Sequence, residues 1–170
     1  MVVEILKELR KLNERELLSY WVMGEYEEAE VYSRLSERAK ELGLPEDVVE
    51  TFKKLGEESK AHGDELYSVY RQKYGEELVE VRIPNVESLN VMGKFWKVND
   101  LGDVFRNALE SEKLAETIYL RLAEEAEGEL RELYLRLAGI ERGHYETLKA
   151  LADKMGIPLD GDEKECGERA

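Results

Sequence analysis

Four stretches of this chain carry apolar residues at alternating spacings of three and four, and each switches to glutamate, serine or histidine near its middle. The first stripe reads Leu18, Trp21, Glu25, Glu28, Tyr32, Leu35, Ala39, and the second Val48, Phe52, Leu55, Ser59, His62, Leu66, Val69. The third is Leu101, Val104, Ala108, Glu112, Ala115, Tyr119, Leu122, Ala126, and the fourth Leu130, Tyr134, Leu137, Glu141, His144, Leu148, Leu151, Met155. That period lines up one face of an α-helix, and four such faces can bury one another as a bundle. The expected fold class is all-α, with two helical hairpins joined by a long crossover connection.

Local signals place the breaks. Asn13 with Glu16 forms a capping box that opens a helix over 14–41, preceded over 2–11 by a short amphipathic helix or a helical extension. Pro45 sits at an allowed first-turn position of the next helix, 46–74, which Gly75 ends. Residues 76–99 hold a proline, asparagines and the β-branched run VEVRI, which breaks the helical period. A connection this long has room to run the length of a bundle and start a second hairpin parallel to the first. Asn99 or Asp100 is expected to cap a helix over 100–127, and Gly128 to allow the turn into 129–155. Residues 1–158 form one domain on this reading, and 159–170 a polar, disordered tail.

Composition narrows the function classes. A formal charge of -14 and a pI near 4.7 argue against nucleic acid or an anionic membrane as partner. No apolar run approaches the roughly 18–20 residues that span a bilayer, and MVVEILKELRK lacks a signal-peptide core, so a cytoplasmic protein is expected. A single cysteine, Cys166, allows no internal disulfide and no cysteine metal cluster.

The two halves of the chain repeat one another. YSRLSERA (32–39) aligns with YLRLAEEA (119–126), and LGEESKAHGDEL (55–66) with LAGIERGHYETL (137–148). Both histidines of the chain fall on the stripes at matched places, and each half has a glutamate seven residues before a stripe tyrosine. Carboxylates and imidazoles would thus converge on one buried level. Burying a carboxylate without compensation costs several kcal/mol, on the order of the whole stability of a small domain. Metal cations remove that cost, and oxygen ligands with neutral imidazole suit iron or manganese. Glu141 and His144, at i and i+3, share a helix face and can serve one dinuclear site.

At these residues the sequence resembles the rubrerythrin branch of the ferritin-like superfamily. GEYEEAEVY and ESEKLAETIY look like that family's ligand-bearing first and third helices, and ERGHYETL like its Glu-x-x-His helix. The resemblance covers about residues 14–155. It implies a ferritin-like bundle with Glu25, Glu112, Glu141, His62 and His144 as ligands to two iron ions, manganese or a mixed pair being alternatives. It also implies Tyr32 and Tyr119 as hydrogen-bond donors to carboxylates across the bundle.

Two departures from the family pattern stand out. A rubredoxin-like module needs paired Cys-x-x-Cys, and one cysteine cannot build it, so either electrons come from a separate donor protein or turnover is slow. Ser59 occupies a ligand-glutamate position. Glu28, on the stripe three residues after Glu25, can restore the missing carboxylate; Glu58, beside the stripe and four residues before His62, is the alternative. The implied activity is reduction of hydrogen peroxide, with oxidation of ferrous iron by dioxygen as the second reading. A non-enzymatic iron-handling protein and a metal-free helical interaction module are the other classes. The apolar stretch VMGKFW (91–96) in the crossover suggests a surface covered by another subunit, hence a homodimer or higher homo-oligomer, or else a cap on the bundle.

Overall fold

The computed structural model describes residues 2–85 and 98–159. These form α1 (Val2–Leu9), α2 (Glu14–Glu41), α3 (Glu46–Tyr74), a 3-10 turn at Val98–Asp100, α4 (Leu101–Glu125) and α5 (Gly128–Lys154). The fold is all-helical: α2 packs along α3 as one hairpin and α4 along α5 as the other, with α3 meeting α5 and α1 lying against α4. Among the described residues no strand forms, VEVRI (79–83) being irregular, and no helix is long and apolar enough to cross a membrane. VMGKFW (91–96) and most of the tail lie outside the described residues.

Local chemistry explains most boundaries. The Asn13 side chain accepts from the Glu16 backbone N–H at 2.9 Å while the Glu16 carboxylate accepts from the Asn13 N–H at 2.8 Å, so the capping box is complete. Gly75 leaves α3 at a φ of 85°, a left-handed conformation that costs glycine little. The start of α4 differs from expectation. Asp100 holds the N-cap position, but its backbone is already helical (φ -79°, ψ -8°) after the 3-10 turn, and its side chain makes no cap bond. A capping side chain needs extended backbone to fold back on the first free N–H groups.

The stripes bury two separate apolar cores. One gathers Trp21, Leu66, Ile118, Tyr119, Tyr134 and Leu137 with Ile5, Leu6 and Leu9 of α1. The other gathers Tyr32, Leu35, Phe52, Leu55, Phe105 and Leu148. Complete burial of a side chain such as Phe52, Phe105 or Leu35 stabilises by about 1.5–3 kcal/mol. One stripe position is corrected: Val69 is 42% exposed, and Tyr70 is buried in its place. A straight helix drifts about 20° per heptad against a 3.5-residue repeat, which by the end of α3 moves the buried face on by one residue.

The first part of the crossover is strapped along α2. Val79 N–H donates to Ser19 Oγ at 3.0 Å, Tyr20 O–H to the Pro84 carbonyl at 2.9 Å, and Asn85 Nδ2 to the Gly24 carbonyl at 3.2 Å. Leu78, Val81 and Ile83 pack against the first core.

Close approach of α2 and α3 depends on Gly63. A Cβ there would lie 2.8 Å from Tyr26 Cε1 and 3.3 Å from Glu25 Cβ. Tyr26 is tied to Asp64 by a hydrogen bond of 2.8 Å, which a displaced ring would strain. Gly63→Ala is therefore expected to destabilise by about 1–3 kcal/mol, the usual effect of overpacking. Urea unfolding checks it; an unchanged midpoint would show that the two helices can part without loss.

Candidate metal centre

The polar interruptions of the four stripes meet between the two cores. From α2 come Glu25 and Glu28, from α3 Ser59 and His62, from α4 Glu112, and from α5 Glu141 and His144. Glu25, Glu28, Glu112, Glu141 and His144 are each at most 3% exposed. The His62 side chain is 24% exposed.

Four of these residues form one group. Glu28, Glu112, Glu141 and His144 each offer a ligand atom, all within 4.8 Å of one another. His144 Nδ1 lies 3.7 Å from Glu28 Oε2 and 3.7 Å from Glu112 Oε2. Glu25 and His62 form a second pair, with Nδ1 to Oε2 at 3.7 Å. The His62 and His144 rings lie 6.0 Å apart at 29°, so the pair sits beside the group. All six residues singled out from the stripes thus occupy one level, divided into a group of four and a pair.

Ser59 and Glu28 converge on one point. Ser59 Oγ is 2.7 Å from Glu28 Oε2 and 2.9 Å from the Leu55 carbonyl. The α2 carboxylate therefore reaches over the position from which an α3 glutamate would project. Glu58 is placed differently: its side chain is 41% exposed, 3.6 Å from Lys54 Nζ, with Oε2 3.7 Å from His144 Nε2. It faces the outer nitrogen of His144, whereas Glu28 faces the inner one.

The two tyrosines differ as well. Tyr32 O–H donates to Glu112 Oε1 across the bundle. Burial, then the charges of Glu112 and Glu28, push the Tyr32 phenol well above its usual range, so it stays a donor at neutral pH. Tyr119 packs its ring on Trp21 at 4.7 Å and Tyr134 at 6.4 Å. Neither oxygen of Glu25, the carboxylate its repeat position would serve, accepts a hydrogen bond.

Sequence reasoning missed one buried acid near this level. Glu116 is 3% exposed, but Lys113 Nζ at 2.7 Å and Arg142 Nε at 2.8 Å hold it. Burial raises its pKa, yet those two cations outweigh burial and leave it lowered. Its pairing marks it as structural. Lys113, three residues before it, was the available signal.

The donor set fits a metal. Both oxygens of Glu25, Oε2 of Glu112 and both ring nitrogens of His144 are buried without a hydrogen-bond partner. Buried polar atoms are nearly always paired, and a carboxylate left bare costs more than a neutral group. Burial disfavours the His144 imidazolium, but Glu112, Glu28 and Glu25 outweigh it and push His144 up to about 9. That field attracts a cation of any kind. Oxygen and imidazole donors without thiolate match iron or manganese.

A helical bundle that gathers carboxylates and imidazoles from all four long helices into one core layer defines a ferritin-like protein with a candidate metal centre. Residues 103–169 match the family model described as Rubrerythrin. A solved structure of a hypothetical protein from Pyrococcus furiosus is 30% identical, with a TM-score of 0.67 over 87% of this chain and 93% of that one. No curated protein matches. The chain belongs to the rubrerythrin family, whose members typically bind iron.

Proposed function

We propose that this protein holds two iron ions in the polar layer and reduces hydrogen peroxide there, using electrons from a separate donor protein. The observation that carries this reading is the set of buried ligand atoms on Glu25, Glu112 and His144 that lack a hydrogen-bond partner between two apolar cores. Glu28, Glu112, Glu141 and His144 would hold one ion, and Glu25 with His62 would serve the other. Two ferrous ions held there would supply the two electrons that, with two protons, convert one peroxide to two waters.

The chain's own residues set the conditions for that chemistry. The apolar cores above and below exclude bulk water and strengthen the charge interactions in the layer. Tyr32 restrains the Glu112 carboxylate by donating to Oε1, which leaves Oε2 for a cation. His62, one-quarter exposed, is where this ligand set meets solvent and where a small oxidant can arrive. The acidic surface, with a formal charge of -14 over the chain, concentrates cations around the protein.

Oxidation of ferrous iron by dioxygen is the second reading, favoured by the same acidic surface, which would draw iron in as substrate. Anaerobic ferrous protein mixed by stopped flow with peroxide, and separately with oxygenated buffer, tests both. Peroxide is expected to oxidise the centre faster than it oxidises free iron, and faster than oxygen does. Oxidation no faster than free iron with either oxidant would leave a binding protein rather than a catalyst. A homodimer or higher homo-oligomer belongs to the same proposal, on the apolar composition of VMGKFW, and light scattering checks it.

A further inference from the structure

We propose that the two metal places of this layer are unequal and fill in order, the Glu28–Glu112–Glu141–His144 group first and the Glu25–His62 pair second, with Glu58 as the positioning residue that sets the difference. The proposal rests on the metal-centre reading above and extends it to affinity and order.

Three observations separate the places. The first is ligand number: four residues already lie within mutual reach in the group, against two in the pair. The second is solvent. The His144 side chain is 4% exposed and the His62 side chain 24%, so an ion beside His62 competes with water for its ligands.

The third is the outer nitrogen of His144. Its Nδ1 looks into the group, towards Glu28 and Glu112, while its Nε2 looks out to Glu58 Oε2 at 3.7 Å. An imidazole binds a cation through one nitrogen only when the proton sits on the other, and a carboxylate facing that other nitrogen holds it there. Glu58 closing by less than an ångström would accept that N–H. In the repeated half the residue matched to Glu58 is Ile140, which has no side-chain acceptor. The duplication therefore gave both halves a histidine but only one of them this carboxylate support.

The test is an anaerobic titration of metal-free protein with manganous ion against a chromophoric chelator. Two equivalents are expected in two steps, the first tighter by more than about tenfold. His62→Ala should remove the second step and leave the first. Glu58→Ala should weaken the first step by about 10–100-fold, the usual effect of losing such a supporting group. Glu58→Gln, which keeps an acceptor without charge, should recover part of that loss, and a merely structural role would not produce this recovery. Glu58 is half-exposed, so these variants keep the fold. Two equivalents bound with one affinity, or a first step unmoved by Glu58→Ala, would overturn the proposal while leaving the metal centre standing. Absence of any binding would overturn the metal centre itself, and this proposal with it.

Discussion

Glu28→Ala is expected to lower metal affinity by more than about 100-fold, beyond the roughly 10–100-fold that a supporting residue commands. Glu141→Ala should cost about as much, and Glu58→Ala less. The reason is geometric: Glu28 is one of the four residues whose ligand atoms lie within 4.8 Å, whereas Glu58 touches the layer through the far side of His144. The more telling experiment adds Ser59→Glu to Glu28→Ala. Ser59 Oγ and Glu28 Oε2 are 2.7 Å apart, so the two side chains already share one space from opposite helices. Exchanging which helix supplies the carboxylate roughly conserves volume and conserves charge, the kind of core change that is tolerated best. It also recreates on α3 the Glu-x-x-His spacing that Glu141 and His144 have on α5. The double variant should regain most of the lost affinity, read by the same chelator competition. A double variant as weak as Glu28→Ala would show that Glu28 acts through some feature of α2 that a glutamate at 59 cannot supply.

How far the sequence reaches can be seen in these same residues. The stripes could be read because helical period is a property of one segment at a time, and every long helix here has a half-buried face. The capping box at Asn13 and Glu16 was legible for the same reason: both partners lie in one turn. Period also marked Glu25, Glu28, Ser59, His62, Glu112, Glu141 and His144 as breaks in apolar faces, and the matched halves raised them above chance.

What stayed hidden is contact between helices. Periodicity places Glu58 beside the stripe of α3 but does not say that it looks across at Nε2 of His144 on α5. The vacancy at Ser59 could be inferred, but not that its hydroxyl meets the substitute carboxylate. Glu116 is hidden in the same way, because Arg142 comes from the neighbouring helix. Small angular drift accounts for Tyr70 taking the place of Val69, since an error of one position accumulates only after several turns.

The second large effect concerns stability, and its sign depends on whether metal is bound. In chelator-treated protein, Glu25→Leu is expected to raise unfolding free energy by about 1–4 kcal/mol, as apolar replacement of buried charges often does. Glu25 is fully buried, neither of its oxygens accepts a hydrogen bond, and its nearest cationic candidate is His62 at 3.7 Å. Leucine removes that desolvation penalty and suits a layer already flanked by two apolar cores. His62 stays partly solvated and tolerates the loss of its neighbour. With metal present the order should reverse. An ion that binds only the folded state, at about 1,000 times its dissociation constant, stabilises by about 4 kcal/mol. The wild type collects that gain at both places, the variant chiefly at the four-residue group. Urea unfolding of both proteins, in chelator and in excess manganous ion, reads the crossing directly. A leucine variant that is the less stable one in chelator would show Glu25 to be an ordinary structural acid. A crossing would show that this layer is kept against the stability of the empty bundle, which only a bound cation can offset.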